Sequence, residues 1–218
     1  MGMEQIQAVL FDMDGTLIDT EGYYRIFWPR ALAEFGYRMT DEQALSMRSL
    51  GRPFAPARLR EWFGEELDYF AVREKRKELM EEALVRDGIK VKPGAEALLA
   101  FLRERGITAA VVTATDRERA DRYLAQTGLA PYFDRVVSAV QVRQGKPAPD
   151  IYLYACEELG LRPEACVAVE DSPNGILSAH RAGCQVIMVP DQTEPDGALS
   201  DCLWACVPDL EEIKALIP

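Results

Sequence analysis

Four short segments of this 218-residue sequence gather the residue types that can hold and transfer a charged tetrahedral group. Phe11-Asp-Met-Asp-Gly-Thr16 carries two carboxylates, Asp12 and Asp14, at i and i+2. Val111-Val-Thr-Ala-Thr115 carries two hydroxyls, Thr113 and Thr115. Gln144-Gly-Lys-Pro-Ala-Pro-Asp150 carries Lys146. Val169-Glu-Asp-Ser-Pro-Asn-Gly175 carries Glu170 and Asp171. In an extended chain, side chains two residues apart share one side. If Glu170 and Asp171 lie nearby, up to four negative groups converge. Unpaired, they would repel and raise one another's pKa. A hard divalent cation relieves that repulsion. An all-oxygen donor set, in a sequence whose single histidine is His180, points to Mg²⁺. Lys146 and Thr113 then offer a cation and a hydroxyl to a tetrahedral anion. Gly15 would let backbone N–H groups approach the same oxygens.

The chemistry implied is phosphoryl transfer. One aspartate attacks phosphorus and forms an aspartyl-phosphate. A second protonates the leaving alkoxide and then activates water. Mg²⁺ and Lys146 neutralise charge on the equatorial oxygens. Each segment alone has a plainer reading: a turn with solvated acids, a cap at Thr113, a surface lysine, a cap at Glu170-Asp171. All four in order, each just past an expected strand, are hard to obtain by accident.

The elements that must position these residues can be read from the apolar pattern. Ala8–Phe11 is a short continuous apolar run and reads as a buried strand. Further strands are expected at Ile107–Val112, Arg135–Ala139, Cys166–Val169 and Gln185–Val189, with a weaker one at Leu203–Val207. Helices are expected at Ala95–Arg105 with Pro93 as a first helical residue, Asp116–Gln126, Pro149–Leu159 and Pro173–Ala182, and a short one at the C-terminus. Strands alternating with helices of this length imply a parallel sheet covered on both faces. Such sheets bind ligands beyond the carboxyl ends of their strands. From Thr20 to Gly88 the pattern is helical without strand signal, so this stretch reads as an insertion. Thr40-Asp-Glu-Gln43 is a capping box. Residues 66–86 are amphipathic, and Pro29 is expected to kink or split the first helix. The domain division is therefore 1–18 with 89–218 as an α/β, Rossmann-like core, and 19–88 as a helical unit.

Composition narrows the classes. The net charge is −11 and 48% of residues are hydrophobic, as in an ordinary globular chain. Residues 16–90 hold 13 basic and 14 acidic residues, and the acidic excess lies elsewhere. The acidic balance disfavours nonspecific nucleic-acid binding. No apolar run has the length of a membrane span, and the first residues lack the features of a signal peptide. Five cysteines without a CxxC pair, beside one histidine, read as buried free thiols in a reducing cytoplasm rather than a zinc site. No G-x-G-x-x-G follows the first strand and no G-x-x-x-x-G-K-[ST] occurs, so a nucleotide-binding dehydrogenase fits poorly.

Over nearly its whole length the sequence resembles the haloacid-dehalogenase-like superfamily, in the subfamily with a helical cap between the first two motifs. Asp12-Met-Asp14-Gly-Thr matches the first motif, Thr113 the second, Lys146 the third and Glu170-Asp171 the fourth. The resemblance implies Asp12 as nucleophile and Asp14 as general acid/base, with Thr113 and Lys146 holding the phosphoryl group. It implies Mg²⁺ on Asp12, the Asp14 carbonyl and Asp171, with Glu170 a direct or indirect partner. The insert becomes a substrate-specifying cap, and monomer is the default for this cap type.

Within the family, Asp14 argues against dehalogenase, phosphonatase and transport-ATPase chemistry, which lack an aspartate there. A phosphatase and a β-phosphoglucomutase-like phosphomutase remain. The mutase group's general pattern fits at Asp19-Thr20-Glu21, Leu50-Gly51-Arg52-Pro53 and Glu170-Asp171-Ser172. Two of its specific residues do not: Tyr24 stands where the mutase has a histidine, and Phe54 where it has an arginine. These departures favour a phosphatase of small phosphorylated, sugar-like metabolites. A non-catalytic module on the same fold is the third reading, opposed by the intact acidic and lysine set. Gly15, Ala114, Tyr24 and Arg52 are the candidate substrate contacts. Tyr23, Trp28, Phe54 and Arg48 are further candidates on the cap side, with Trp28 read as cap core and Lys75 and Lys77 as a solvated helix face.

Overall fold

The computed structural model describes residues 6–195 and 197–217. Its centre is a six-stranded, all-parallel sheet. The strands are β1 (Ala8–Phe11), β2 (Thr108–Thr113), β3 (Arg135–Ser138), β4 (Cys166–Glu170), β5 (Gln185–Met188) and β6 (Ala205–Cys206), in the order β3-β2-β1-β4-β5-β6. The chain builds one side of β1 and then crosses to the other. The switch point therefore falls at β1, where an open α/β sheet leaves a crevice at its carboxyl edge.

The alternation of β1 divides the interior. Val9 and Phe11 join Val111, Val167 and Val169 under α5 (Ala95–Glu104) and α6 (Arg117–Gln126). Ala8 and Leu10 join Val112 and Ala168 under α7 (Asp150–Leu159) and α8 (Pro173–Ala182). Strands buried on both faces read as unbroken apolar runs, which is why they were legible.

Between β1 and α5 lie α1 (Glu21–Glu34), α2 (Asp41–Ser46), α3 (Phe54–Phe63) and α4 (Tyr69–Asp87). They enclose an apolar cluster of their own, including Trp28, Leu32, Met47, Leu59, Tyr69 and Val72. The Thr40 capping box closes on Gln43 in both directions, at 3.2 and 2.8 Å.

Four local expectations need correction. The first helix is not split at Pro29; α1 runs through it. Phe27, Trp28, Ala31 and Leu32 on either side are buried, so tertiary packing outweighs the missing hydrogen bond. Pro93 does not open α5. Gly94 intervenes with φ of 80°, and the helix begins at Ala95. The C-terminal helix is a 3₁₀ segment, Glu211–Ala215. Cys156, Cys166 and Cys184 are buried free thiols, but Cys202 is half-buried and Cys206 is exposed on the two-residue edge strand β6. Among the described residues no helix is long and apolar enough to cross a membrane.

Candidate active site

The carboxyl ends of β1 and β4 bring Asp12, Glu170 and Asp171 together, with one carboxylate oxygen from each within 4.8 Å of the other two. All three residues are buried. Lys146 enters from the loop after β3 with no exposed surface. Its Nζ donates to Asp12 Oδ1 at 2.5 Å, Glu170 Oε1 at 2.6 Å and the Val112 carbonyl at 2.9 Å. One ammonium thus uses its three protons on three acceptors. Glu170 Oε1 also accepts the Tyr152 O–H at 2.6 Å. That contact went unnoticed in the sequence, because Tyr152 reads there as an ordinary apolar position of α7.

One cation does not balance three buried acids. Burial first, then Glu170, Asp171 and Asp14, raise the Asp12 pKa well above the usual carboxylate range, against the opposing effect of Lys146. Asp171 is pushed up to about 7 by burial and Glu170, with Arg48 opposing. Asp12 Oδ2 and Glu170 Oε2 are buried with no hydrogen-bond partner. Orphaned carboxylate oxygens in an all-oxygen set fit a hard divalent cation such as Mg²⁺.

Asp14 sits beside this cluster, held by two hydroxyls. Thr20 Oγ1 donates to its Oδ1 at 2.6 Å, and Thr115 Oγ1 to its Oδ2 at 2.8 Å. The Tyr24 hydroxyl lies 2.9 Å from Thr115 Oγ1. The Thr115 proton is already committed to Asp14, so Tyr24 is the donor there. Burial raises the Tyr24 pKa to about 12, which keeps that proton in place. A chain from α1 to Asp14 results: Tyr24, Thr115, carboxylate.

Gly15 has φ of +88°, and a Cβ there would lie 2.6 Å from Asp171 Oδ2. Its N–H donates to Ile18 O at 2.8 Å rather than into the crevice. Glycine therefore meets both a left-handed backbone and a close approach to Asp171. Thr113 is buried at the end of β2, and its Oγ1 accepts the Thr115 N–H at 3.0 Å.

A cavity opens above Asp12 and Asp14, between the sheet edge and the helices. Ala114, Tyr24, Trp28, Arg48 and Arg52 line it. Trp28 belongs both to the apolar cluster of the helices and to the cavity wall. Tyr23 and Phe54 are not brought to the cavity. Tyr23 instead donates to Asp87 at 3.1 Å. Lys75 and Lys77 pair with Glu78 and Glu74 along α4. Arg48 reaches Asp171 at 3.5 Å and also bonds Thr193. Glu21, at the first turn of α1, was missed as a site residue. It is buried, lines the cavity, and its Oε1 has no partner.

The helices close on the sheet edge through two glycines. Gly51 N–H donates to Lys146 O at 2.8 Å, and Gly145 N–H to Arg52 O at 2.7 Å. A Cβ on Gly51 would stand 2.6 Å from Gly145 Cα.

Comparison with known proteins agrees with this arrangement. The haloacid dehalogenase-like hydrolase family model matches residues 6–183. Hexitol phosphatase A of Escherichia coli K12 is 36% identical over 84% of this chain and 82% of its own. CbbY from Rhodobacter sphaeroides, solved in complex with phosphate, is 27% identical with a TM-score of 0.79, covering 96% of each chain. β-Phosphoglucomutase from Clostridium difficile shares the fold, with a TM-score of 0.81 at 22% identity over 96% of this chain and 93% of that one. A buried Asp-Lys-Glu-Asp cluster at the switch point of a parallel sheet and a family match over most of the length converge: the chain belongs to the haloacid dehalogenase-like hydrolases, in the group that holds their phosphatases and β-phosphoglucomutase-like proteins.

Proposed function

We propose that this chain is a Mg²⁺-dependent phosphatase of small phosphorylated, sugar-like metabolites, acting through a phosphorylated Asp12. The observation that carries the reading is the Asp12–Lys146–Glu170–Asp171 cluster with its two orphaned oxygens, set beside an Asp14 held by two hydroxyls. Asp12, Asp171, Glu170 and the Asp14 carbonyl would hold the ion. When bound, it supplies the positive charge that lets the carboxylates stay ionised next to a phosphoryl group.

In the first step an Asp12 carboxylate oxygen bonds to phosphorus as the bond from phosphorus to the substrate oxygen breaks, and Asp14 delivers its proton to that oxygen. In the second step Asp14 takes a proton from water, the water oxygen bonds to phosphorus, and Asp12 leaves as carboxylate. Lys146 steadies Asp12 and offsets charge on the transferred group. Thr113 binds that group at the end of β2. Residues 19–88 act as the cap over a core of 1–18 and 89–218, and closure excludes water other than the attacking one.

Two features support a phosphatase over a mutase. Tyr24 keeps its proton and touches Asp14 only through Thr115, and Phe54 does not line the cavity. Free cysteines are in keeping with a reducing cytoplasm, and we take the working unit to be a monomer. The test is release of phosphate from sugar and polyol phosphates with Mg²⁺, compared with formation of an isomerised sugar phosphate. Isomerisation without release would establish the mutase instead.

A further inference from the structure

Glu170 ends β4 with no exposed surface, and its two oxygens are used unequally. Oε1 accepts two donors, Lys146 Nζ and the Tyr152 O–H, both at 2.6 Å. Oε2 is buried with no hydrogen-bond partner. On that side α8 passes close by: a Cβ on Gly175 would overlap Oε2 and the carboxyl carbon. Glycine gives the carboxylate its room without holding it.

Both donors come from one stretch, Lys146-Pro-Ala-Pro-Asp-Ile-Tyr152, which is the loop before α7 and the first turn of that helix. Two prolines stiffen it. It is also tied down independently of Glu170. Ser178 Oγ donates to Ala148 O at 2.6 Å, and Arg181 Nη1 to Pro147 O at 2.9 Å. The Tyr152 ring packs in the apolar cluster of Ala8, Leu10 and Val112, and Lys146 Nζ lies 5.3 Å from its centroid. Packing therefore sets the place of the tyrosine, and the hydroxyl adds a fixed donor to one oxygen of Glu170. A hydrogen bond to a carboxylate is charge-assisted and directional. It pins Oε1 on the Lys146 side and leaves Oε2 as the open atom. Without it, Lys146 is the sole donor to Oε1. The carboxylate is then free to turn about its last bond and to compete with Asp12 for the ammonium.

We propose that Tyr152 is a positioning residue of this centre: its hydroxyl sets the rotation of Glu170, which keeps one oxygen open for a cation and leaves Lys146 shared with Asp12. This rests on the phosphatase reading of the same acidic cluster.

The test is Tyr152→Phe, which keeps the ring and removes the donor. The expected result is a Mg²⁺ dissociation constant, measured by calorimetry without substrate, raised roughly ten- to hundredfold, the usual cost of losing a partner behind a metal ligand. At saturating Mg²⁺, kcat falls about tenfold while the substrate KM stays within about twofold. A double-mutant cycle with Glu170→Gln shows the route. In that background the same change alters Mg²⁺ affinity and kcat by less than about twofold. Placing 4-aminophenylalanine at position 152 returns a donor and restores most of the lost affinity. Placing 4-fluorophenylalanine there, similar in bulk but without a donor, does not, and it stands in for Tyr152→Phe if that variant fails to fold. Mg²⁺ affinity within twofold of wild type in the variants, or an equal loss in the Glu170→Gln background, overturns the proposal. A wild type that does not bind Mg²⁺ overturns it as well. Absence of phosphate release from every substrate overturns the phosphatase reading instead, and the Mg²⁺ measurements still decide the role of Tyr152.

Discussion

Replacing Gly51 by alanine adds one methyl group where the helical segment meets the sheet edge. The new Cβ would stand 2.6 Å from Gly145 Cα and 3.1 Å from Lys146 N. Ordinary contact begins at 3.4 Å, so the two loops must separate by close to an ångström. Both bridging hydrogen bonds, Gly51 N–H to Lys146 O and Gly145 N–H to Arg52 O, lie in that seam. At about 0.5–1.5 kcal/mol net for each bond, losing both costs the closed arrangement about 1–3 kcal/mol. If catalysis requires closure, kcat/KM falls roughly 5- to 150-fold. Gly51 is not in the left-handed region, so alanine can adopt its backbone conformation. The apolar clusters are untouched, so the melting temperature should fall by no more than the roughly 2–12 °C that 1–3 kcal/mol represents in a chain of this size. The assay is kcat/KM on the best substrate, with thermal melting as control. Gly145→Ala should behave alike, and the double variant should lose less than the sum because both act on one seam. Activity within twofold of wild type at unchanged stability would refute closure through this contact.

Three further outcomes are expected. Lys146→Met leaves three buried acids without their cation; it should lower kcat by roughly 10³-fold or more and cost about 3–5 kcal/mol in Mg²⁺-free urea denaturation. Thr115→Val removes one of two hydroxyls on Asp14 together with the link to Tyr24; kcat should fall about tenfold with KM little changed. The acidic cluster also makes stability depend on pH. Asp171 has a folded pKa of about 7 against 3.8 for the free group, so between those values the folded state binds more protons than the unfolded state. Metal-free stability should therefore fall as pH rises from about 4 through 7, by an amount on the order of a few kcal/mol. Mg²⁺ requires the ionised carboxylates, so the rise in melting temperature on adding it should grow from pH 5.5 to 8, and a shift independent of pH would contradict this.

Much of the arrangement was legible in the sequence, for an identifiable reason. Strands buried on both faces appear as apolar runs, and the polar residue ending each run marks the sheet's carboxyl edge. Asp12, Thr113 and Glu170 follow directly from that. Pairings that cross the chain left no such mark. Tyr152 meets Glu170 from α7, and nothing in its local pattern separates it from a core tyrosine. Arg76 and Arg119 sit in charge-dense helices, where arginine ordinarily reads as solvated; only tertiary packing shows them buried. Gly94 stands between Pro93 and α5 in a left-handed conformation, and a Cβ there would lie 2.6 Å from Glu211 N, 117 positions away in the chain. Tyr23 and Phe54 were candidates for the cap side, Phe54 by its spacing from Gly51, but neither lines the cavity.

The most direct test of the central claim is phosphate release from a panel of sugar, polyol and bisphosphate substrates, with and without Mg²⁺, for the wild type and Asp12→Asn. The account predicts release that requires both Mg²⁺ and Asp12, with little isomerised product. Release that persists in Asp12→Asn, or isomerisation of β-glucose 1-phosphate to glucose 6-phosphate with little free phosphate, would contradict it.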